Sequence, residues 1–232
     1  MIHGYNYGVP TLKETRGPIL CEFNWMYLIH NLRNSLGAVS GFFECYQTIP
    51  DVSKNLTTMM IGQFSHASEK ALQDIDDAGK LMSPLELNLE PVHLETWLRG
   101  VVQAHPISQT SGLTIDWCCG SNSQGRVQID KGLMERAMRE LLNNSQEAMP
   151  QGGKLAIECR KSGQGNLIQL LNTGEPIPAT DLTDIWEPFF TTKHKKAGLG
   201  LSWVRKIIEG HGGRVGIKNL SGRGVQVEFR IP

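Results

Sequence analysis

Arg139-Glu140-Leu141-Leu142-Asn143-Asn144-Ser145-Gln146-Glu147-Ala148-Met149 opens the stretch, residues 139–202, that decides how this chain is read. Its pattern predicts a helix on which Glu140 and Asn144, four residues apart, share one face. Three more segments follow: Asn172-Thr173-Gly174-Glu175-Pro176-Ile177-Pro178, Glu187-Pro188-Phe189-Phe190-Thr191-Thr192-Lys193 and Gly198-Leu199-Gly200-Leu201-Ser202. A helix-borne amide oxygen is a hard ligand suited to a divalent ion that bridges triphosphate oxygens. Glycines let backbone N–H groups approach phosphates closely, and Gly198–Ser202 opens a predicted helix whose N-terminus favours anions. Alone, Asn143-Asn144 would read as a polar helix face; the downstream segments argue against that.

In this order the four segments resemble the N box, first glycine box, F box and second glycine box of the sensor histidine kinases, within the GHKL ATPase superfamily. The resemblance implies ATP and Mg²⁺ as cofactors. It makes Asn144 the Mg²⁺ ligand, with Glu140 alongside, and places Asn172, Gly174 and Ile177 at the adenine end. Gly198, Leu199, Gly200 and Leu201 fall beside the phosphates. Lys193 meets the phosphates as a point charge, with a solvated loop lysine an equal alternative. Phe189 and Phe190 pack the base of a lid formed by 191–198.

The sequence also departs from the family pattern. The usual adenine-binding Asp is Asn172, which keeps an acceptor but loses charge assistance. Val225 replaces a Thr, Pro176 a glycine, and Lys196 stands where the second glycine box often begins. These changes predict weak but measurable ATP affinity.

Upstream, Trp25, Leu28, Leu32, Leu36, Val39, Phe43 and Tyr46 recur in steps of three and four, the seam of a long helix. After Pro50 a second pattern runs through Leu56, Met60, Phe64, Ala67, Ala71, Ile75 and Ala78 to Ser83-Pro84. Such a pair forms an antiparallel hairpin, and two chains complete a four-helix bundle, so a homodimer is expected. His30 lies off the apolar seam, and Leu28–Leu36 resembles the phosphoacceptor H box. An exposed neutral imidazole is a competent nucleophile toward a γ-phosphate. The family's acid after the histidine is Asn31 here and its proline is Ser35, so Glu140 is expected to replace the missing carboxylate as base or as an organiser of Mg²⁺.

The fold class expected is α+β: a helical hairpin, then an α/β sandwich of the GHKL type. Residues 1–19 read as a linker, 20–82 as the dimerisation and phosphoacceptor domain and 83–232 as the ATP-binding domain. Within the last, a helix is expected at about 93–104 and strands at 113–118 and 126–129. Asp130 is placed as N-cap of a helix over 131–149, with Leu133, Ala137, Leu141 and Ala148 facing the sheet. Strands at 154–160, 166–172, 214–219 and 224–231 and a helix at 199–210 follow. Pro84–Leu94 resembles the lead-in of the nitrogen-regulation branch.

Lys+Arg and Asp+Glu balance at 23 each, so no electrostatic argument favours nucleic acid. No apolar run approaches a membrane span or a signal peptide, and cytoplasmic placement is expected. Five cysteines form no CxxC pair and the histidines show no ligand spacing, so reduced thiols and no structural zinc are expected. The leading function is a histidine kinase core that phosphorylates His30 and passes the group to an Asp of a response regulator receiver domain. A separate or upstream sensor module would instruct it. Alternatives are a nucleotide-weak phosphotransfer or pseudokinase scaffold, and a response-regulator phosphatase in which Asn34 orients water. A serine-kinase anti-sigma factor shares the ATP fold without needing the hairpin.

Overall fold

A computed structural model describes residues 54–119, 126–163, 165–193 and 196–232. The expected first helix, His30, Asn31, Asn34, Ser35 and the turn at 120–125 lie outside the described residues. Helix α1 (Lys54–Met82) is the second limb of the predicted hairpin. Ser83 closes it, donating from Oγ to Gly79 O at 3.1 Å, ahead of Pro84.

Strand β1 (Glu90–His93) pairs antiparallel with β3 (Arg126–Ile129). The sequence predicts a helix near 93 and no strand before it, so β1 is an addition: four residues interrupted by Pro91 carry no usable period. Helix α2 (Leu94–Ala104) and a 3₁₀ turn (Pro106–Gln109) follow, then β2 (Leu113–Trp117), helix α3 (Lys131–Glu147), β4 (Gly153–Ser162) and β5 (Gly165–Asn172). Helix α4 (Gly200–Gly210), β6 (Arg214–Leu220) and β7 (Gly224–Ile231) complete the chain. The main sheet runs β2-β4-β5-β7-β6, parallel between β2 and β4 and antiparallel elsewhere.

Alternation along the strands builds the second layer. Leu155, Ile157 and Cys159 of β4 are fully buried, as are Ile168 and Leu170 of β5 within a percent, and they meet the helices. The opposite face is polar, with Gln169 donating to Glu228 across β5 and β7 at 2.6 Å. The result is an α/β sandwich with its helices on one side.

Asp130 caps α3 as expected, accepting from Leu133 N at 3.0 Å and from Asn88 N at 3.0 Å. Burial alone would raise its pKa, but these N–H donors hold it below the ordinary carboxylate value. His211 ties this entry to α4: its Nε2 accepts from Asp130 N at 2.9 Å, while Nδ1 donates to Ile207 O at 2.7 Å. The core face of α3 is Met134, Ala137, Met138, Leu141 and Leu142; Leu133 and Ala148 are only half-buried. Leu133 still packs against the core, and Met134 and Met138 add to the expected stripe.

A second correction concerns α1. The seam placed Ala78 in the helical bundle, yet it is 4% exposed against the sandwich core. Polar contacts fix this junction. Arg136 donates to Asp77 at 2.9 Å and lies 3.8 Å over the Trp203 ring. Lys206 donates to the carbonyls of Lys80 (2.8 Å), Leu81 and Ser83, a cation at the C-terminus of α1. Leu72 and Ile75, by contrast, remain exposed.

Candidate nucleotide site

A cavity of about 640 Å³ opens between α3, α4 and the loops after β5. Residues separated by up to 61 positions line it: Glu140, Asn144, Asn172, Ile177, Lys193 and Gly198–Leu201. Gly174 lies at its edge, touching Asn172. His30 and Asn34 fall outside the described residues.

Helix α3 sorts its amides by angle. Asn143 also lines the cavity, but its Oδ1 meets Nε2 of buried His105 at 3.1 Å. Because His105 Nδ1 accepts from Ile107 N at 3.1 Å, Nε2 carries the proton and donates. Burial pulls this imidazole's pKa down, so it stays neutral. Asn144, the next residue, faces the cavity. The pair that looked alike in sequence thus divides into an amide bonded to a buried histidine and one bonded to a lysine at the cavity mouth.

Glu140, one turn before Asn144, reaches the N-terminus of α4. A Cβ on Gly200 would lie 2.6 Å from Glu140 Oε2, so the glycine makes room for the carboxylate. Burial raises the Glu140 pKa, opposed by Lys196 and Arg136. No side chain caps α4 at Leu199, and its first turn lines the cavity.

At the mouth, Lys193 donates to Asn144 Oδ1 at 3.4 Å and pairs with Glu147, which also pairs with Lys196. Burial would raise the Glu147 pKa, but the two ammonium groups bring it below the usual value. Glu147 was not singled out in the sequence. It stands three residues after Asn144 and seven after Glu140, so the same helical face could have found it.

The closed end is built from backbone contacts. The Asn172 amide, 5% exposed, satisfies both its groups when Oδ1 accepts from Gly174 N at 3.1 Å and Nδ2 donates to Val225 O at 3.3 Å. A Cβ on Gly174 would come within 2.5 Å of Ala148 O, so only glycine fits. Ile177 is clamped by Asn219, which accepts from its N–H at 2.9 Å and donates to its carbonyl at 2.7 Å. Nothing in the sequence marked Asn219, whose strand lies 42 residues downstream. Gly198 (φ 73°) packs on the Phe189 and Phe190 backbone, where a Cβ would lie 2.5 Å from Phe189 C. Phe189, 1% exposed, holds φ 68° itself. A bulky residue in the left-handed region persists only where its surroundings over-determine it.

This fold and site define an ATPase domain of the GHKL type. Residues 129–232 match the family of histidine kinase-, DNA gyrase B-, and HSP90-like ATPases. A solved catalytic domain of histidine kinase ThkA is 32% identical, with a TM-score of 0.56, over 62% of this chain and 95% of that one. ThkA in complex with the response regulator TrrA superimposes on 92% of this chain and 61% of that one, at 26% identity and a TM-score of 0.70. Among full-length relatives, sensor histidine kinase ZraS of Escherichia coli O157:H7 is 25% identical over 209 residues, 88% of this chain and 44% of that protein. The chain thus spans less than half of that relative's length. It belongs to the histidine kinase family and contains its catalytic core. No helix among the described residues is long and apolar enough to cross a membrane.

Proposed function

We propose that this chain is the core of a two-component histidine kinase that takes a phosphoryl group from Mg²⁺-ATP onto His30 and passes it to an Asp of a response regulator. The observation that carries this reading is the convergence of Asn144, Glu140, Asn172 and the glycines of 198–200 on one cavity. The donor set fits the cofactor: glycines whose Cβ atoms would collide, uncapped N–H groups at α4, two lysines at the mouth and one helix-borne amide oxygen. Bound there, Mg²⁺-ATP supplies the γ-phosphoryl group.

Asn144 Oδ1 is the metal ligand in this reading, and Lys193 exchanges Glu147 for phosphate oxygens. Glu140 is half-buried, and burial raises its pKa; as a carboxylate it can take the proton lost from His30, a role Asn31 cannot fill. Asn172 orients the adenine end through whatever donor and acceptor capacity its backbone bonds leave. Catalysis of this kind is mostly positioning and charge neutralisation. Exposed Leu72 and Ile75 on α1 support the paired helical stem and hence a homodimer. Five scattered cysteines without a CxxC pair fit a cytoplasmic protein, and Pro84–Leu94 supports the nitrogen-regulation-like branch. The domain limits at residues 19 and 82 belong to the same reading, as does a separate or upstream sensor module.

A second reading has one observation in its favour. The Asn172 amide is engaged by Gly174 N and Val225 O, which fits a nucleotide-weak phosphotransfer scaffold. Incubation with γ-labelled ATP and Mg²⁺ separates the two. Acid-labile label present in the wild type and lost in His30→Gln and Asn144→Ala supports the kinase. Absence of label, with transfer onto His30 from a phosphorylated regulator, supports the scaffold.

A further inference from the structure

At the other edge of the sheet, away from the nucleotide cavity, three ligand-bearing side chains meet that sequence spacing kept apart. Strand β2 runs parallel to β4 with Trp117 opposite Ile157, and Cys118 N donates to Ile157 O at 2.9 Å, which extends the ladder. Two residues further along both strands stand Cys119 and Cys159, whose thiols touch, with Cys159 Sγ donating to Cys119 Sγ at 3.1 Å. Glu95, in the first turn of α2, completes the group: its carboxylate oxygen and both sulfurs all lie within 4.8 Å of one another. Cys159 is buried, whereas Glu95 and Cys119 are half-buried, so the cluster has an inner wall and an approach from solvent.

We propose that Glu95, Cys119 and Cys159 form a binding site for a thiophilic divalent cation of the zinc class. Two thiolates and a carboxylate are three ligands of the kind zinc takes, with a fourth position left for water. Tetrahedral Zn–S bonds of about 2.3 Å put the sulfurs roughly 3.8 Å apart; rotation about the two Cα–Cβ bonds spans the difference from 3.1 Å. Binding releases the two thiol protons. Two thiolates and one carboxylate exceed the charge of a divalent ion by one, and Arg99 offsets it: its guanidinium pairs with Glu95 at 2.8 Å and is held 4.3 Å over the Trp117 ring. Cys118 takes no part, since successive side chains on a strand point to opposite faces. The ion would pin edge strand β2 and helix α2 to β4. The proposal departs from the expectation of no structural zinc, which rested on linear spacing alone.

The test uses the full chain, reduced, stripped of metal and titrated with Co²⁺. One equivalent should develop a thiolate-to-cobalt charge-transfer band, displaced by Zn²⁺, and Zn²⁺ should raise Tm. Cys118→Ser should leave the titration unchanged. Cys119→Ser should abolish the band and weaken Zn²⁺ binding by more than about tenfold, and Glu95→Gln should keep the band with weaker affinity. Cys119 is half-buried, so its substitution spares the core that Cys159→Ser would disturb, and Glu95→Gln gives an independent reading on the surface side. The proposal is overturned by a reduced wild type that takes up no stoichiometric cobalt. It is equally overturned by a band that survives Cys119→Ser, which would place the ion on other thiols, or by a Cys119–Cys159 disulfide in protein purified under reducing conditions.

Discussion

The two ends of the nucleotide cavity are built on different physics. The closed end, around Asn172, Gly174 and Ile177, is fixed by backbone hydrogen bonds and by glycines that admit no Cβ. The mouth, around Asn144, Glu147, Lys193 and Lys196, is held by exposed ion pairs between long side chains. Rigid backbone walls are preorganised and costly to alter. Surface ion pairs are worth little and exchange easily. One end is therefore suited to selecting a shape, and the other to releasing its cations when phosphates arrive.

The largest expected effect tests the one mouth residue that does not behave as an exchangeable ion. Asn144→Ala should lower phosphoryl labelling by more than about a hundredfold, because in the proposed reading it removes a direct metal ligand and even outer partners of ligands cost about 10–100-fold. Circular dichroism should show the fold intact, since this side chain faces the cavity. Retained labelling would remove Asn144 from the site and break the contrast at its centre.

Gly174→Val should cost about 1–3 kcal/mol in thermal unfolding, the range for overpacking, with nucleotide binding lost alongside. An unchanged Tm would mean that the closed end yields more than its backbone contacts imply. Asn219→Ala should cost about 1–2 kcal/mol, since the Ile177 N–H and carbonyl both lose a partner. Calorimetric titration with a non-hydrolysable ATP analogue should also show weaker binding.

Glu147→Gln belongs at the small end. Both its ion pairs are more than a third exposed, so stability should change by less than about 1 kcal/mol. The sign with pH is definite. The Glu147 pKa is lowered in the folded state, so its contribution is present above the unfolded value of about 4.3 and is lost as pH falls through the folded value. Glu140 has the opposite sign: its pKa is raised, so its favourable contribution is present at low pH and is lost as pH rises through the folded value. Unfolding of Glu147→Gln and Glu140→Gln followed from pH 3 to pH 7 should therefore diverge from wild type in opposite directions. Parallel curves would show that one of the two environments is misassigned.

How much of this was legible beforehand depended on whether the signal was local. The helix over Lys131–Glu147 was readable from its period and from Asp130, a short side chain placed to accept the first orphan N–H. The strands 153–162, 165–172, 214–220 and 224–231 were readable from alternation and from the glycine turns between them. Glu147 was within reach of the same helical arithmetic. Strand β1 was not, being too short for any period, and neither was Asn219, whose value lies in touching Ile177 across the sheet edge.

Order along the chain and the chemistry of side chains by themselves pointed to the family and to four segments, three of them bearing glycine or asparagine, as candidates for one site. Local rules suffice there, because caps, turns and helix faces involve residues within one or two turns of each other. Tertiary structure alone decided which of two adjacent asparagines is bonded to His105, why Ala78 leaves its helical seam for the sandwich core, and that Cys119, Cys159 and Glu95 share one edge. Each depends on strand register and helix rotation, which are fixed by burying the whole apolar surface at once and leave no mark in any single stretch of residues.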